Sequence, residues 1–216
     1  MRRYLLVAII EIMALLGVGA RPDTPQQPTI IIQPLGSLCT EDVTLVKEAL
    51  EQFYSLSVRI LPPIELPQGV HYKPGPRYRA EKLIEYLRDK LSSDGYRILG
   101  LTAVDISAVN GKIEDWGVIG MAEASGEACV ISSFRCKMGA KDQLQARIRL
   151  AKVAVHEIGH TLELNHCSTE GCLMQDARGH VSTCDGEFDL CAGCRSQLKA
   201  QGHTLPDNPS IPWPRH

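Results

Sequence analysis

From Asp142 to Leu164 the apolar residues Leu144, Ile148, Ala151, Val155, Ile158 and Leu162 recur at steps of three and four, the spacing of one face of an α-helix. His156 and His160 stand one turn apart on a neighbouring stripe with Val153, so both imidazoles project the same way at the margin of the buried face. The first half of the chain alternates between short apolar runs and amphipathic segments. Thr29 to Gln33 is a β-branched run closed by Pro34 and Gly36 and predicts a buried strand. Thr40, read as an N-cap, opens a helix with Val43, Val46, Leu50 and Phe53 on one face and Glu41 and Asp42 complementing its N-terminus. Val58 to Leu61 predicts a second strand, residues 62–76 a loop, and Leu83, Ile84, Leu87 and Leu91 a second helix stopping at Asp94-Gly95. Ile98 to Ile106 predicts a third strand, while Val118 to Ala122 and Ala128 to Phe134, joined through Ser125-Gly126, predict a hairpin. This succession predicts an α+β fold, a mixed, twisted five-stranded sheet packed with three main helices.

The 216 residues suffice for one domain with a single core, and a 44% hydrophobic, 22% charged composition is that of a soluble globular chain. The formal charge of -2, with both signs interspersed, marks no nucleic acid as partner, and a monomer is expected. Arg2 and Arg3 precede an apolar run, Tyr4 to Val18, that ends in Val18-Gly19-Ala20, so residues 1–20 read as a cleavable export signal. A periplasmic or extracellular location is therefore expected, with the cytoplasm as the alternative. Membrane association would come only through an uncleaved N-terminal segment, a reading that Glu11 inside the run weakens. Residues 21–28 read as a Pro/Gln-rich linker and 29–202 as the folded domain. Residues 203–216, with Pro206, Pro209, Pro212 and Pro214, read as an extended or disordered tail.

The chemistry concentrates on the third helix. Two histidines at i and i+4 can place ring nitrogens about 2.0 to 2.1 Å from one zinc ion, and a third protein ligand leaves the fourth position for water, whose pKa the metal lowers to about 7. Glu157, beside the first histidine, stands where a carboxylate can take the proton as the water attacks a carbonyl. By itself this pentapeptide also fits a polar helix face. His166, six residues after His160, can complete the set if the chain turns sharply after the helix; His180, following Arg178-Gly179, is the rival third ligand.

The run His156-Glu157-Ile158-Gly159-His160-Thr161-Leu162-Glu163-Leu164-Asn165-His166-Cys167, followed by Cys172-Leu173-Met174 and Cys191-Ala192-Gly193-Cys194, resembles the signature of the archaemetzincins, zinc metalloproteases of the metzincin clan. The resemblance continues upstream through Ile30 to Gly36, Arg77 to Leu87, Thr102 to Ile106 and Val130 to Arg135, covering residues 29–198. It implies that His156, His160 and His166 bind a catalytic zinc, that Glu157 is the general base and acid of peptide-bond hydrolysis, and that Met174 forms the Met-turn beneath the metal. It further implies that Cys167, Cys172, Cys191 and Cys194 bind a second, structural zinc that stabilises a C-terminal subdomain, giving two zinc ions per chain. A peptide or protein is the implied substrate, paired in extended form with the strand near Ala128 to Phe134.

Two points leave alternatives open. Metzincins place glycine three residues after the second histidine of the motif, where this chain has Glu163; a left-handed residue with a Cβ costs about 1 to 2 kcal/mol, so the turn is expected to be strained there or shifted to Asn165. That departure is the support for a different reading, a non-catalytic zinc-stabilised peptide-binding domain derived from a metalloprotease. The eight cysteines of an exported chain would ordinarily pair as disulfides, although the C-x4-C and C-x2-C spacings favour metal. Cys184 is then a spare, and Cys129 and Cys136 can pair only across a bend. Met121 and Met138 read as core or loop residues, His71 and His203 as solvated, and Asp105 as the brace of a strand end.

Overall fold

The computed structural model describes residues 28–207, 209 and 213; residues 1–27, with the export-signal reading and all but the last residue of the linker, lie outside the described residues. The elements follow in the order β1 (Thr29–Leu35), α1 (Thr40–Tyr54), β2 (Ser57–Ile60), β3 (Tyr78–Arg79), α2 (Ala80–Lys90), β4 (Arg97–Thr102), β5 (Ile106–Asn110), β6 (Ile113–Val118), β7 (Gly120–Ala122), β8 (Ala128–Ser132), α3 (Ser133–Cys136), α4 (Gln143–Thr161) and α5 (Ala192–Ala200), with a 3-10 turn at Val181–Gly186. The expected mixed sheet of five strands has the order β2-β1-β4-β8-β7, parallel except for β7, which runs antiparallel to β8. Alternation along its strands serves two cores: Ile30, Ile32, Leu99, Leu101, Cys129 and Ile131 face α1 and α4, while Ile31, Leu35, Ile98, Ala128 and Val130 face α2. No helix among the described residues is long and apolar enough to cross a membrane.

The strand boundaries depart from the sequence reading at several places, β2 (Ser57–Ile60) and β7 (Gly120–Ala122) by one or two residues. β1 continues through Pro34, whose carbonyl accepts from Ile64 N beyond the last β1–β2 pair, Ile32↔Ile60. Proline's missing N–H lies on that same side, where no ladder bond is lost. The run Ile98 to Ile106, expected as one strand, breaks at Thr102, whose hydroxyl donates to the Leu35 carbonyl (3.0 Å); β5 then joins a separate sheet, β3-β5-β6. The β5–β6 hairpin carries exposed Val109, Ile113 and Trp116, so no alternation of buried and exposed positions announces it. Ala128 to Phe134 is shorter than expected and lies between β4 and β7, so it is no free edge. The hairpin through Ser125, left-handed at φ 55°, places β7 outermost instead.

Helix α1 begins one residue earlier than read, with Cys39 rather than Thr40 as its N-cap. Helix α4 starts as expected, Asp142 accepting from Gln145 N at 2.8 Å, but its buried surface is not the stripe that periodicity drew. Leu144 is 61% exposed, whereas every residue from Arg149 to Val155 is buried. A helix enclosed on all sides must compensate its charges internally. Arg149, 3% exposed, donates through Nε and Nη2 to Asp185 (2.8 and 2.6 Å) and through Nη1 to the carbonyls of Cys136 and Met138. Lys152 donates to the Cys184 carbonyl at 2.7 Å and lies over the Phe188 and Trp213 rings. Two residues of the tail contribute to packing: Leu205 and Trp213 are buried, and Trp213 stacks on Phe53 with centroids 5.4 Å apart and donates to the Phe188 carbonyl.

Arg149 holds the Asp185 carboxyl below the usual carboxylate range, chiefly through its hydrogen bonds. Removing one partner strands a buried guanidinium, so Asp185→Asn lowers stability by about 2 kcal/mol at pH 7, read from the urea midpoint. Because the folded pKa is depressed, the gap between wild type and variant is full above about pH 5 and closes as pH falls through the lowered Asp185 value.

Candidate metal centre

The last turns of α4 carry His156, Glu157 and His160, and two backbone carbonyls from beyond the helix orient the rings. Nδ1 of His156 donates to the Leu173 carbonyl and Nδ1 of His160 to the Leu164 carbonyl, each at 2.7 Å. With the Nδ1 protons so committed, the neutral rings turn their Nε2 lone pairs toward each other, 3.0 Å apart. Burial lowers the His156 pKa to about 3, helped by His160, and burial lowers that of His160 as well, so both stay neutral. Facing lone pairs repel unless a cation lies between them, and two nitrogens on a tetrahedral zinc stand about 3.3 Å apart. The donor set fits that metal.

The third ring depends on how α4 ends. Leu164 N donates to the Gly159 carbonyl and Glu163 N to the His160 carbonyl, both near 3.0 Å, the paired bonds of a Schellman motif. Its left-handed residue is Glu163 itself, at φ 65°; Asn165 is not left-handed, so the alternative turn is overruled. Gln197 and Gln201 hold the Glu163 carbonyl and carboxyl (2.8 and 3.2 Å), contacts that offset part of the strain. The reversal returns His166 to the helix, with its ring centroid 5.4 Å from His156 and 4.8 Å from His160. One nitrogen from each of the three rings lies within 4.8 Å of the others; His180, the rival, is exposed and outside this group. His166 is itself half exposed, leaving the cluster reachable from solvent.

Beneath the rings, Cys172 to Gln175 form a turn closed by Gln175 N donating to the Cys172 carbonyl (2.9 Å), with Leu173 and Met174 fully buried at its centre. Met174 reaches the helix where Gly159 has no side chain; a Cβ there would stand 2.6 Å from its sulfur. Glu157 is pressed against the edge strand, and a Cβ on Gly120 would meet its Oε1 at 2.6 Å. Burial raises the Glu157 pKa to about 8. A cavity of about 230 Å³ opens beside these groups, between residues 116–120, helix α4 and residues 175–179.

Cys167, Cys172, Cys191 and Cys194 form a second cluster. The Cys167–Cys191 and Cys172–Cys194 sulfurs are each 3.7 Å apart. That is far beyond the about 2.05 Å of a disulfide and close to the about 3.8 Å between thiolates on one tetrahedral zinc. Thr169 N and Cys191 N donate to Cys167 and Cys172 sulfur, as they would to thiolates. Burial raises the Cys191 thiol, but hydrogen bonds from Cys194, Thr169 and Cys167 outweigh it and bring the pKa to about 6. All eight cysteines are free, including Cys129 and Cys136 despite the bend at α3 between them, and Cys184 is buried as a spare.

Asp105 braces as expected, accepting from Arg77 and Arg135. Met121 packs against the α2-side core, Met138 is an exposed loop residue and His71 is exposed. His203 is only partly exposed, near Tyr96, and burial lowers its pKa, which corrects the solvated reading. Gly120, the Leu164 and Leu173 carbonyls and Glu187, which lines the cavity, were not singled out in the sequence. Backbone groups carry no residue-type signal, and the register that brings β7 to Glu157 is a tertiary matter.

A model of peptidase family M54 matches residues 43–200. The archaemetzincin of Haloquadratum walsbyi is 29% identical over 174 residues, 77% of this chain and 97% of that protein. The crystal structure of an archaemetzincin from Archaeoglobus fulgidus, complexed with malonate, matches with a TM-score of 0.67 at 29% identity, covering 78% of this chain and 99% of that one. An archaemetzincin from Methanopyrus kandleri shares the fold at TM-score 0.70 and 23% identity, covering 83% and 98%.

Glu163→Gly relieves the left-handed strain but adds backbone freedom and loses the Gln201 contact, so stability changes by less than about 1 kcal/mol and zinc content is unchanged; thermal melting and metal analysis of the variant check this. Titration of denatured, chelated, non-reduced protein should find eight thiols, as the free cysteines require.

Proposed function

Since the chain belongs to peptidase family M54, the family of the archaemetzincins, and is a zinc metallopeptidase, we propose that it hydrolyses peptide bonds with His156, His160 and His166 as ligands of the catalytic zinc and Glu157 as general base and acid. The observation that carries this is the convergence of the three imidazoles beside a buried carboxylate at the wall of an open cavity. Bound there, zinc supplies a Lewis acid that polarises the scissile carbonyl and lowers the pKa of water.

The chain's own residues do the rest. A peptide in extended form adds to β7, the edge strand beside the imidazoles, through backbone hydrogen bonds, which lays its scissile carbonyl across them. Glu157 takes a proton from the attacking water as the new C–O bond forms. It returns that proton to the amine nitrogen as the C–N bond breaks, leaving a carboxylic acid and an amine, and passage of the water's second proton from the acid to the amine gives carboxylate and ammonium. Burial gives Glu157 a raised proton affinity suited to this transfer near neutral pH, and Gly120 leaves the space its carboxyl occupies. Cys167, Cys172, Cys191 and Cys194 hold a second, structural zinc, which pins α5 and the turn bearing Met174. The substrate is a peptide or protein.

Glu157→Gln should lower peptidase turnover by about two to four orders of magnitude. Elemental analysis should find two zinc ions per chain in both wild type and variant. Unchanged turnover would remove Glu157 from the chemistry, and a peptide that binds wild type without being cut would instead favour the non-catalytic binding domain.

A further inference from the structure

The cavity beside the imidazoles runs along α4 past Val153 and reaches Cys184 and Glu187. Glu187 is 3% exposed, yet among the described residues its carboxyl accepts no hydrogen bond and has no ion-pair partner within 4 Å. The neighbouring cations bond elsewhere. Lys152 donates to the Cys184 carbonyl and lies over two aromatic rings, and Arg149 is bound by Asp185. A buried acid left unpaired is costly, so its persistence at a cavity wall calls for a partner that arrives from outside.

The other charges lining the cavity are the carboxylates of Glu157 and Asp176 and one exposed guanidinium, Arg178. At about 230 Å³ the space is smaller than the about 300–1,000 Å³ of pockets that enclose whole small ligands, and it suits one long side chain. Burial raises the Glu187 carboxyl to about 8, opposed by the nearby charge of Lys152, and a cation entering the cavity would hold it ionised.

We propose that Glu187 is a specificity-determining residue: it pairs with a lysine or arginine side chain of the substrate adjacent to the scissile bond. The assignment rests on the hydrolase reading for its position relative to the bond, and on the cavity alone for its preference for a cation.

The experiment uses zinc-loaded, full-length protein and a peptide mixture varied at both positions flanking the cleaved bond, with products identified by mass spectrometry. Wild type should favour lysine or arginine over norleucine at one flanking position by about tenfold, and Glu187→Gln should reduce that preference to about threefold or less while still cutting the norleucine peptide. Cleavage with no basic preference, or a preference unchanged in Glu187→Gln, overturns the proposal while leaving the hydrolase reading intact. A second arm needs no turnover: fluorescence anisotropy of lysine- and norleucine-bearing peptides on Glu157→Gln, with and without Glu187→Gln. Tighter binding of the lysine peptide that vanishes with Glu187→Gln supports the pocket even where wild type cuts nothing, and equal binding of both peptides overturns it. Should Glu187→Gln fail to fold, the wild-type preference and the binding difference on Glu157→Gln alone decide the matter.

Discussion

Two backbone carbonyls, those of Leu164 and Leu173, determine what the histidines of α4 can do. Each accepts an Nδ1 proton, and by doing so each turns an Nε2 lone pair inward. Neither carbonyl belongs to the helix. One comes from the reversal that follows it and the other from the turn beneath it, so the helix supplies the rings and the loops supply their orientation. The loops are in turn tied to the sulfur cluster, because Cys167 follows His166 directly, Cys172 precedes Leu173, and Cys167 N donates to the Met174 carbonyl at 2.7 Å. Whatever fixes the four thiols also fixes the ring-orienting carbonyls, which couples the two clusters through a few residues of backbone.

The site is built at an energetic cost borne locally. Glu163 occupies the left-handed position that favours glycine, and its carbonyl and side chain are held by α5. The helix that carries the rings is enclosed enough to bury Arg149, Lys152 and Glu157. The two cations are satisfied by Asp185, carbonyls and aromatic faces, whereas Glu157 faces the cavity with its acidity altered by burial alone. Structural charges are paired and the charge at the cavity is not, which is the division expected of a functional site. Glu187 repeats the pattern farther along the same cavity.

Missing side chains matter as much as those present. Gly120 lets the edge strand approach Glu157, and Gly159 lets the Met174 sulfur approach the helix between the two histidines. Both contacts are closer than a Cβ would permit, so the sheet edge, the helix and the turn are held at separations that only these residues allow.

Much of this was legible in the residues themselves. Apolar periodicity gave the five strands of the main sheet and the three long helices, because each carries an apolar run or stripe long enough to pack on a neighbouring layer. The i, i+4 histidines, their neighbouring carboxylate and the paired cysteines gave the donor chemistry, because ligand type and spacing are local properties. Tertiary structure decided the rest. It made β7 an edge strand instead of β8, since strand order depends on which neighbours pair and not on any strand's own pattern. It hid the β5–β6 hairpin, whose buried positions are confined to Ile106, Ser107 and Ala108, and seated Trp213 on Phe53. It placed the turn on Glu163, where the carbonyls of Gly159 and His160 needed donors whatever residue stood there. And it left Glu187 without a partner at a cavity wall, because a residue's burial and its nearest charges exist only once distant segments have packed together.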